Sequence, residues 1–316
     1  MNFQNLIKIE PVNWYLDLAF RNAGKKANEM KAQMRARKDS IKKAEFAKIT
    51  EINRILKKHL NLILTAFPSL DTLPEFYQEL IRVDLDYPEL KKCLGALKWA
   101  EDKIEFFSRE YSGKVKRCQD FNRMLQYSRE YYGRVSSVMK QIKQQLEYLE
   151  HARKIMKGYP SIKTKTFTVA IAGFPNVGKT TLLSKLTGST PEIANYAFTT
   201  RNLNMGYADI NNHKVQFIDT PGSLNRFEKM NPIERQAYLA IKYCADIVIF
   251  VFDMGDSTYP LEQQQKLLTT VEKFGKDMII YLSKTDIEGA AKKLKFYKKK
   301  VMTEVEEVRK EIEKLL

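Results

Sequence analysis

Apolar residues recur at steps of three and four over about 40–157, as in Ile104, Phe107, Tyr111, Val115, Cys118, Phe121 and Leu125, then Val135, Val138, Ile142, Leu146 and Leu149. That period predicts amphipathic helices. Pro68, Pro74 and Pro88 punctuate the run, since proline lacks the amide donor that a helix interior needs. The prediction is a bundle of three or four helices, some long. The octet SREYSGKV at 108–115 is echoed by SREYYGRV at 128–135; one echo defines no repeat period.

After Gly158, Tyr159 and Pro160 the pattern changes to short apolar runs alternating with helical stretches. Strands are predicted at 167–172, 203–210, 214–218, 247–252 and 278–282, with the turn Asn211, Asn212, His213 joining the second and third as an antiparallel hairpin and the others parallel. The fold class is therefore α + α/β: an N-terminal all-helical domain over 1–160, then a doubly wound, mostly parallel sheet over 161–316. The latter should end in a Lys- and Glu-rich helix, with no strand evident after Asp286.

The strand predicted at 167–172 runs into GFPNVGKT and then a helical stretch, the setting that makes a phosphate-binding loop credible. Gly173 and Gly178 let backbone N–H groups turn inward around a polyphosphate at the start of a helix. Gly173, Pro175, Asn176, Val177, Gly178, Lys179, Thr180 and Thr181 form the expected nucleotide loop. Lys179 can reach the β- and γ-phosphates, and Thr180 can hold magnesium by its hydroxyl.

Three further segments point to a guanine nucleotide. DTPG at 219–222 follows an apolar strand; Asp219 can hold magnesium through water, and the Gly222 N–H can meet the γ-phosphate and sense its loss. YAFTTR at 196–201 lies where a closing segment would cover the metal, with Thr200 the expected ligand and Thr199 the alternative. SKTD at 283–286 ends a strand where the base should sit. Asp286 can accept two hydrogen bonds from guanine, a pattern adenine lacks, and the Lys284 stem can cover the base. Lys179, Thr200 and Gly222 are the expected catalytic set.

Of the net charge of +16, the first 160 residues carry +11. Lys25, Lys26, Lys31, Arg35, Arg37, Lys38, Lys42 and Lys43 crowd the stretch before the bundle, as expected of a surface that neutralises RNA phosphates; a solvated helix face is the alternative. Trp14, Tyr15, Phe20 and the tyrosines near Tyr131 are candidates for base stacking or for core packing. Three scattered cysteines argue against disulfides or a zinc site. The longest apolar run, 247–252, is too short to span a bilayer, and the N-terminus has no leader-like stretch; no membrane partner, a cytoplasmic placement and a monomer are expected.

The segment QQLEYLEHARKIMKGYPSI leading into GFPNVGKT, followed by YAFTTR and DTPG, resembles the nucleolar GTP-binding protein 1 family in its short archaeal-type form, within the Obg-like GTPases. The resemblance covers nearly the whole chain. It implies binding of GTP and GDP, hydrolysis with magnesium, and a role in large ribosomal subunit assembly through ribosomal RNA and precursor particles. It departs from the family at Ser283, where an asparagine is usual, and in lacking a second guanine-contacting loop after Asp286. Ser223 stands where a water-orienting glutamine occurs in Ras-like enzymes, which predicts slow hydrolysis. Asn176 sits where related GTPases bind potassium, a loop-stabilising amide being the alternative. Arg201 and Arg226 are candidate internal arginine fingers or plain surface charges. Rival readings are a nucleotide-tuned structural RNA-binding module with negligible turnover, and an ATP-using enzyme.

Overall fold

The computed structural model describes residues 3–32, 37–188, 192–194, 203–220, 232–253, 259–284 and 301–316. The chain divides into two units. One contains Gln4–Thr72 and Leu85–Lys157; the other contains Leu73–Asp84 and the described residues from Gly158 onward.

In the helical unit, α1 (Val12–Ala32) packs on α2 (Arg37–Ala66), which packs on α4 (Tyr87–Arg117); α5 (Phe121–Gln141) and α6 (Lys143–Lys157) complete it. The prolines fall at helix boundaries: Pro68 follows α2, and Pro88 lies in the first turn of α4. The apolar series that runs unbroken from Ile104 to Leu125 is nevertheless two helices. Asp120 interrupts it by accepting from the Arg123 amide at 2.8 Å as the N-cap of α5, satisfying a donor with no intrahelical partner. The echoed octets lie on the two arms of this α4–α5 hairpin. Ser108, Tyr111 and Val115 are buried on α4, as are their counterparts Ser128, Tyr131 and Val135 on α5. The Tyr111 and Tyr131 rings meet at 6.1 Å. The echo is thus one packing surface used twice.

In the second unit, strands β1 (Thr168–Ala172), β2 (Glu192–Ala194), β3 (Leu203–Ile210), β4 (His213–Asp219), β5 (Ile247–Asp253), β6 (Asp277–Ser283) and β7 (Val301–Met302) form a sheet in the order β2-β3-β4-β1-β5-β6-β7. β3 is antiparallel to β4 as the turn predicts, and β2 is antiparallel to β3; the remaining described pairs are parallel. Alternate residues of each strand serve opposite faces. Val169, Ile171, Ile249 and Val251 pack with α7 (Lys179–Thr187) and α10 (Val305–Leu315) on one side. Ala170, Ala172, Val248 and Phe250 pack with α8 (Pro232–Tyr243) and α9 (Leu261–Glu272) on the other. Chain order reverses at β1, flanked by β4 and β5, which places a ligand crevice at its carboxyl end.

One expectation fails at the end of the chain: a strand does follow Asp286. Val301 and Met302 pair with Ile280 and Tyr281. Two residues are too few to carry a period-two pattern, and their order comes from hydrogen bonds to β6.

α3 (Glu75–Asp84) lies within the sheet-containing unit and contacts α8. Tyr77, fully buried, donates to the Pro160 carbonyl at 2.8 Å and accepts from the Ile162 amide at 3.0 Å. Its hydroxyl thus ties α3 to the segment entering β1. Tyr77→Phe should lower unfolding stability by about 1 kcal/mol in urea titrations, because it removes the hydroxyl's hydrogen bonds and leaves these two backbone groups only the bond they make with each other; an unchanged midpoint would refute this tie.

Candidate functional site

The loop between β1 and α7 is shaped by conformations that few residues tolerate. Gly173 has φ +146°, and a Cβ there would lie 2.6 Å from the Val251 carbonyl oxygen of β5. Asn176 at φ +62° and Gly178 at φ +97° turn the chain through the left-handed region, where glycine and asparagine fit best. Val177 is fully buried in the core cluster beside β1, so it anchors the loop while its neighbours remain at the surface. Phe174 stacks on Tyr259 at 4.3 Å with 22° between the rings, a brace that sequence reasoning missed.

Lys179, the first residue of α7, is only 7% exposed, and its Nζ donates to the Phe174 carbonyl at 2.7 Å. Burial pushes its ammonium pKa below the ordinary lysine value, opposed by the nearby Asp219 carboxylate. A buried cation held by a neutral carbonyl is short of counter-charge. A polyphosphate at the helix N-terminus would supply it.

Asp219, at the end of β4, lies beside the first turn of α7. Its Oδ2 accepts from Thr180 Oγ1 at 2.6 Å and from Asn204 Nδ2 at 3.2 Å. Its Oδ1 is buried and has no hydrogen-bond partner among the described residues. A buried carboxylate oxygen without a partner is costly, and beside a threonine hydroxyl this all-oxygen pair fits magnesium. Thr180 and Asp219 would hold the ion, and Asn204, which carries no motif signal, would orient the carboxylate.

Ser283 ends β6 opposite Asp253 and donates to the Phe252 carbonyl at 3.0 Å. Its Oγ is 3.9 Å from where a Gly178 Cβ would stand. Strand end and β1–α7 loop are therefore neighbours, which sets Ser283, the first residue of the expected base motif, beside the expected phosphate loop. Lys284 has φ +56° and pairs with Asp253. Thr199, Thr200, Arg201, Gly222, Ser223, Arg226 and Asp286 lie outside the described residues.

In the helical unit, Lys25, Lys26, Lys31 and Lys43 are exposed and Lys42 is half-buried on α1 and α2. Lys26 pairs with Glu29. Arg35 and the side chains of Arg37 and Lys38 lie outside the described residues. The structure adds a second set, too distant in sequence to be grouped with the first. The end of the α4–α5 hairpin carries exposed Arg109, Lys116, Arg117 and Arg123, and Lys116 Nζ sits 4.6 Å from the Phe46 ring of α2. A cavity of about 740 Å³ there is lined by Arg109, Lys114, Arg117, Arg123 and Tyr127, among others. Of the aromatics considered for stacking, Tyr15 and Tyr131 are buried, whereas Trp14 is 43% exposed.

Comparison with known proteins agrees with both halves. Residues 3–163 match the family described as the NOG1 N-terminal helical domain, and residues 168–284 match the 50S ribosome-binding GTPase family. An uncharacterized protein of Methanocaldococcus jannaschii is 34% identical over 272 residues, covering 85% of this chain and 76% of its own length. Nucleolar GTP-binding protein 1 of Encephalitozoon cuniculi is 34% identical over 77% of this chain but only 46% of its own length, so the chain spans about half of that relative. A crystal structure described as nucleolar GTP-binding protein 1 from Plasmodium falciparum is 24% identical, with TM-score 0.40 over 49% of this chain and 90% of that one. The name nucleolar GTP-binding protein 1, carried by relatives from Encephalitozoon cuniculi, Drosophila melanogaster and Candida glabrata, points to the nucleolus and overturns the cytoplasmic placement expected from the sequence. The criteria behind that placement, no leader and no long apolar helix, do not distinguish the two compartments.

Gly173→Ala should abolish GDP binding in calorimetry while the chain stays folded, since the added methyl collides with β5 backbone. Asp219→Asn should bind GDP with equal affinity in magnesium and in EDTA; a retained magnesium effect would remove Asp219 from the metal site.

Proposed function

The chain belongs to the nucleolar GTP-binding protein 1 family, and from that premise we propose that it is a slow, magnesium-dependent GTPase switch acting in large ribosomal subunit assembly. The reading is carried by the buried Lys179 and the Thr180–Asp219 pair with its partnerless Oδ1, all gathered at the carboxyl end of β1 and β4. The loop amides and Lys179 would hold the β- and γ-phosphates in line for attack by water. Bound magnesium would neutralise phosphate charge. Thr200 would complete the metal shell and the Gly222 amide would report the γ-phosphate, so that segments 190–203 and 220–233 act as switches. Asp286 would select guanine. Ser223 in place of a glutamine supports a slow intrinsic rate, with potassium at Asn176 or a ribosomal partner supplying the missing transition-state charge.

Residues 1–160 would form the RNA and ribosome contact, through the lysines of α1 and α2 and the arginines at the α4–α5 end. Exposed Lys116, Arg117 and Arg123 there support phosphate neutralisation. A second reading, a nucleotide-tuned structural module with negligible turnover, is favoured by Ser283, whose hydroxyl is occupied by the Phe252 carbonyl.

Single-turnover GTP hydrolysis separates the two. The switch predicts acceleration on the order of tenfold or more with potassium or large-subunit particles; no acceleration under any of these conditions supports the module. Reversing the charge of Lys25, Lys31 and Lys43 should weaken RNA binding for all sequences alike and lower the salt slope by about one per lost phosphate contact. Salt-insensitive binding would point to a protein partner.

A further inference from the structure

We propose that Asp253 is a positioning residue for purine recognition, acting through Lys284. Asp253 ends β5 directly opposite Ser283 at the end of β6. Its side chain is 1% exposed, yet its Oδ2 receives the ammonium of Lys284, whose own side chain is 47% exposed. The carboxylate sits on a fixed frame. The Asp253 amide donates to Gln264 Oε1 at 3.0 Å, and the Asp253 carbonyl accepts from Gln264 Nε2 at 2.8 Å. Gln264 is itself 1% exposed and also donates to the Tyr259 carbonyl at 3.0 Å.

Lys284 meets this frame from an unusual backbone state. Its φ of +56° lies in the left-handed region, which a lysine occupies only where its surroundings hold it there. The ion pair is such a hold, because a buried carboxylate binds a charged partner tightly and in fixed geometry. The four-carbon stem between that backbone and that carboxylate is then pinned across the carboxyl ends of β5 and β6, ready to lie against the face of a purine. Ser283 works in parallel. Its hydroxyl donates to the Phe252 carbonyl, one residue before Asp253, so two side-chain contacts from consecutive residues of the base motif lock it to β5. These contacts offer a means of ordering the base site that does not need the asparagine amide.

The inference rests on the reading that Ser283, Lys284 and Asp286 receive the base. Calorimetry of the full chain with GDP, and separately with inorganic triphosphate, tests it because the second ligand has no purine. Asp253→Asn and Lys284→Met should each weaken GDP roughly tenfold, the scale of one charge-assisted hydrogen bond, and leave triphosphate affinity unchanged. The double variant should be no weaker than either single one. Lys284→Met is informative on its own: it keeps an apolar stem of similar length, and because it takes the ion-pair partner from the buried Asp253 carboxylate, its unfolding midpoint is measured alongside to show that the chain tested is folded. GDP affinity equal to the parent in that variant, equal losses for both ligands, or additive losses in the double variant would each overturn the proposal. Asp286→Asn separates the premise from the inference. Unchanged GDP binding there means that the purine is read elsewhere; weakened binding there, with Asp253→Asn at parental affinity, removes Asp253 alone.

Discussion

A methyl group at position 173 would stand 2.6 Å from the Val251 carbonyl oxygen, and that exclusion lets the loop after β1 run hard against β5. From this close approach follow the left-handed turn at Asn176 and Gly178, the burial of Val177, and the start of α7 at Lys179 with its amides facing the crevice end of the sheet. Each element alone is ordinary. Together they create a demand for negative charge: a buried ammonium hydrogen-bonded to a neutral carbonyl, which the nearby Asp219 carboxylate does not fully offset, at a helix end that itself favours anions.

The same crevice has a complementary demand for positive charge a few residues away. Asp219 keeps one oxygen on Thr180 and Asn204 and buries the other without a partner. A buried ammonium bonded to a carbonyl and a carboxylate with one oxygen unpartnered would accept a magnesium–polyphosphate pair from its two sides. The base end is organised from β5 and β6 instead, where Ser283 and Lys284 are each tied to residues of the neighbouring strand. On the proposed function, phosphate and purine recognition would be held by one sheet, whose paired strand ends would set the spacing between them.

Much of this was legible in the chain because local rules dominate there. The strand–loop–helix spacing located Lys179 and Thr180, DTPG located Asp219, and Asn211–Asn212 marked the hairpin, since each signal lies within a few residues. What escaped was set by partners remote in sequence. Val301–Met302 is a strand only because β6 offers a free edge. Asn204, Gln264 and Asp253 belong to no motif and gain their contacts from register and packing. Lys116 of α4 reaches the Phe46 ring of α2 through helix pairing across some seventy residues. Compartment was misjudged for a different reason, as neither a leader nor a membrane helix bears on nucleus against cytosol.

The central claim is that the charge deficits at Lys179 and Asp219 are matched by one magnesium-bound guanine nucleotide. The most direct test is competition of GDP and ADP for the unmodified chain, followed by calorimetry with magnesium present. The account predicts a single site saturated by GDP, with ADP unable to displace it at comparable concentration. Failure of either guanosine phosphate to bind the folded chain at millimolar concentration would contradict it.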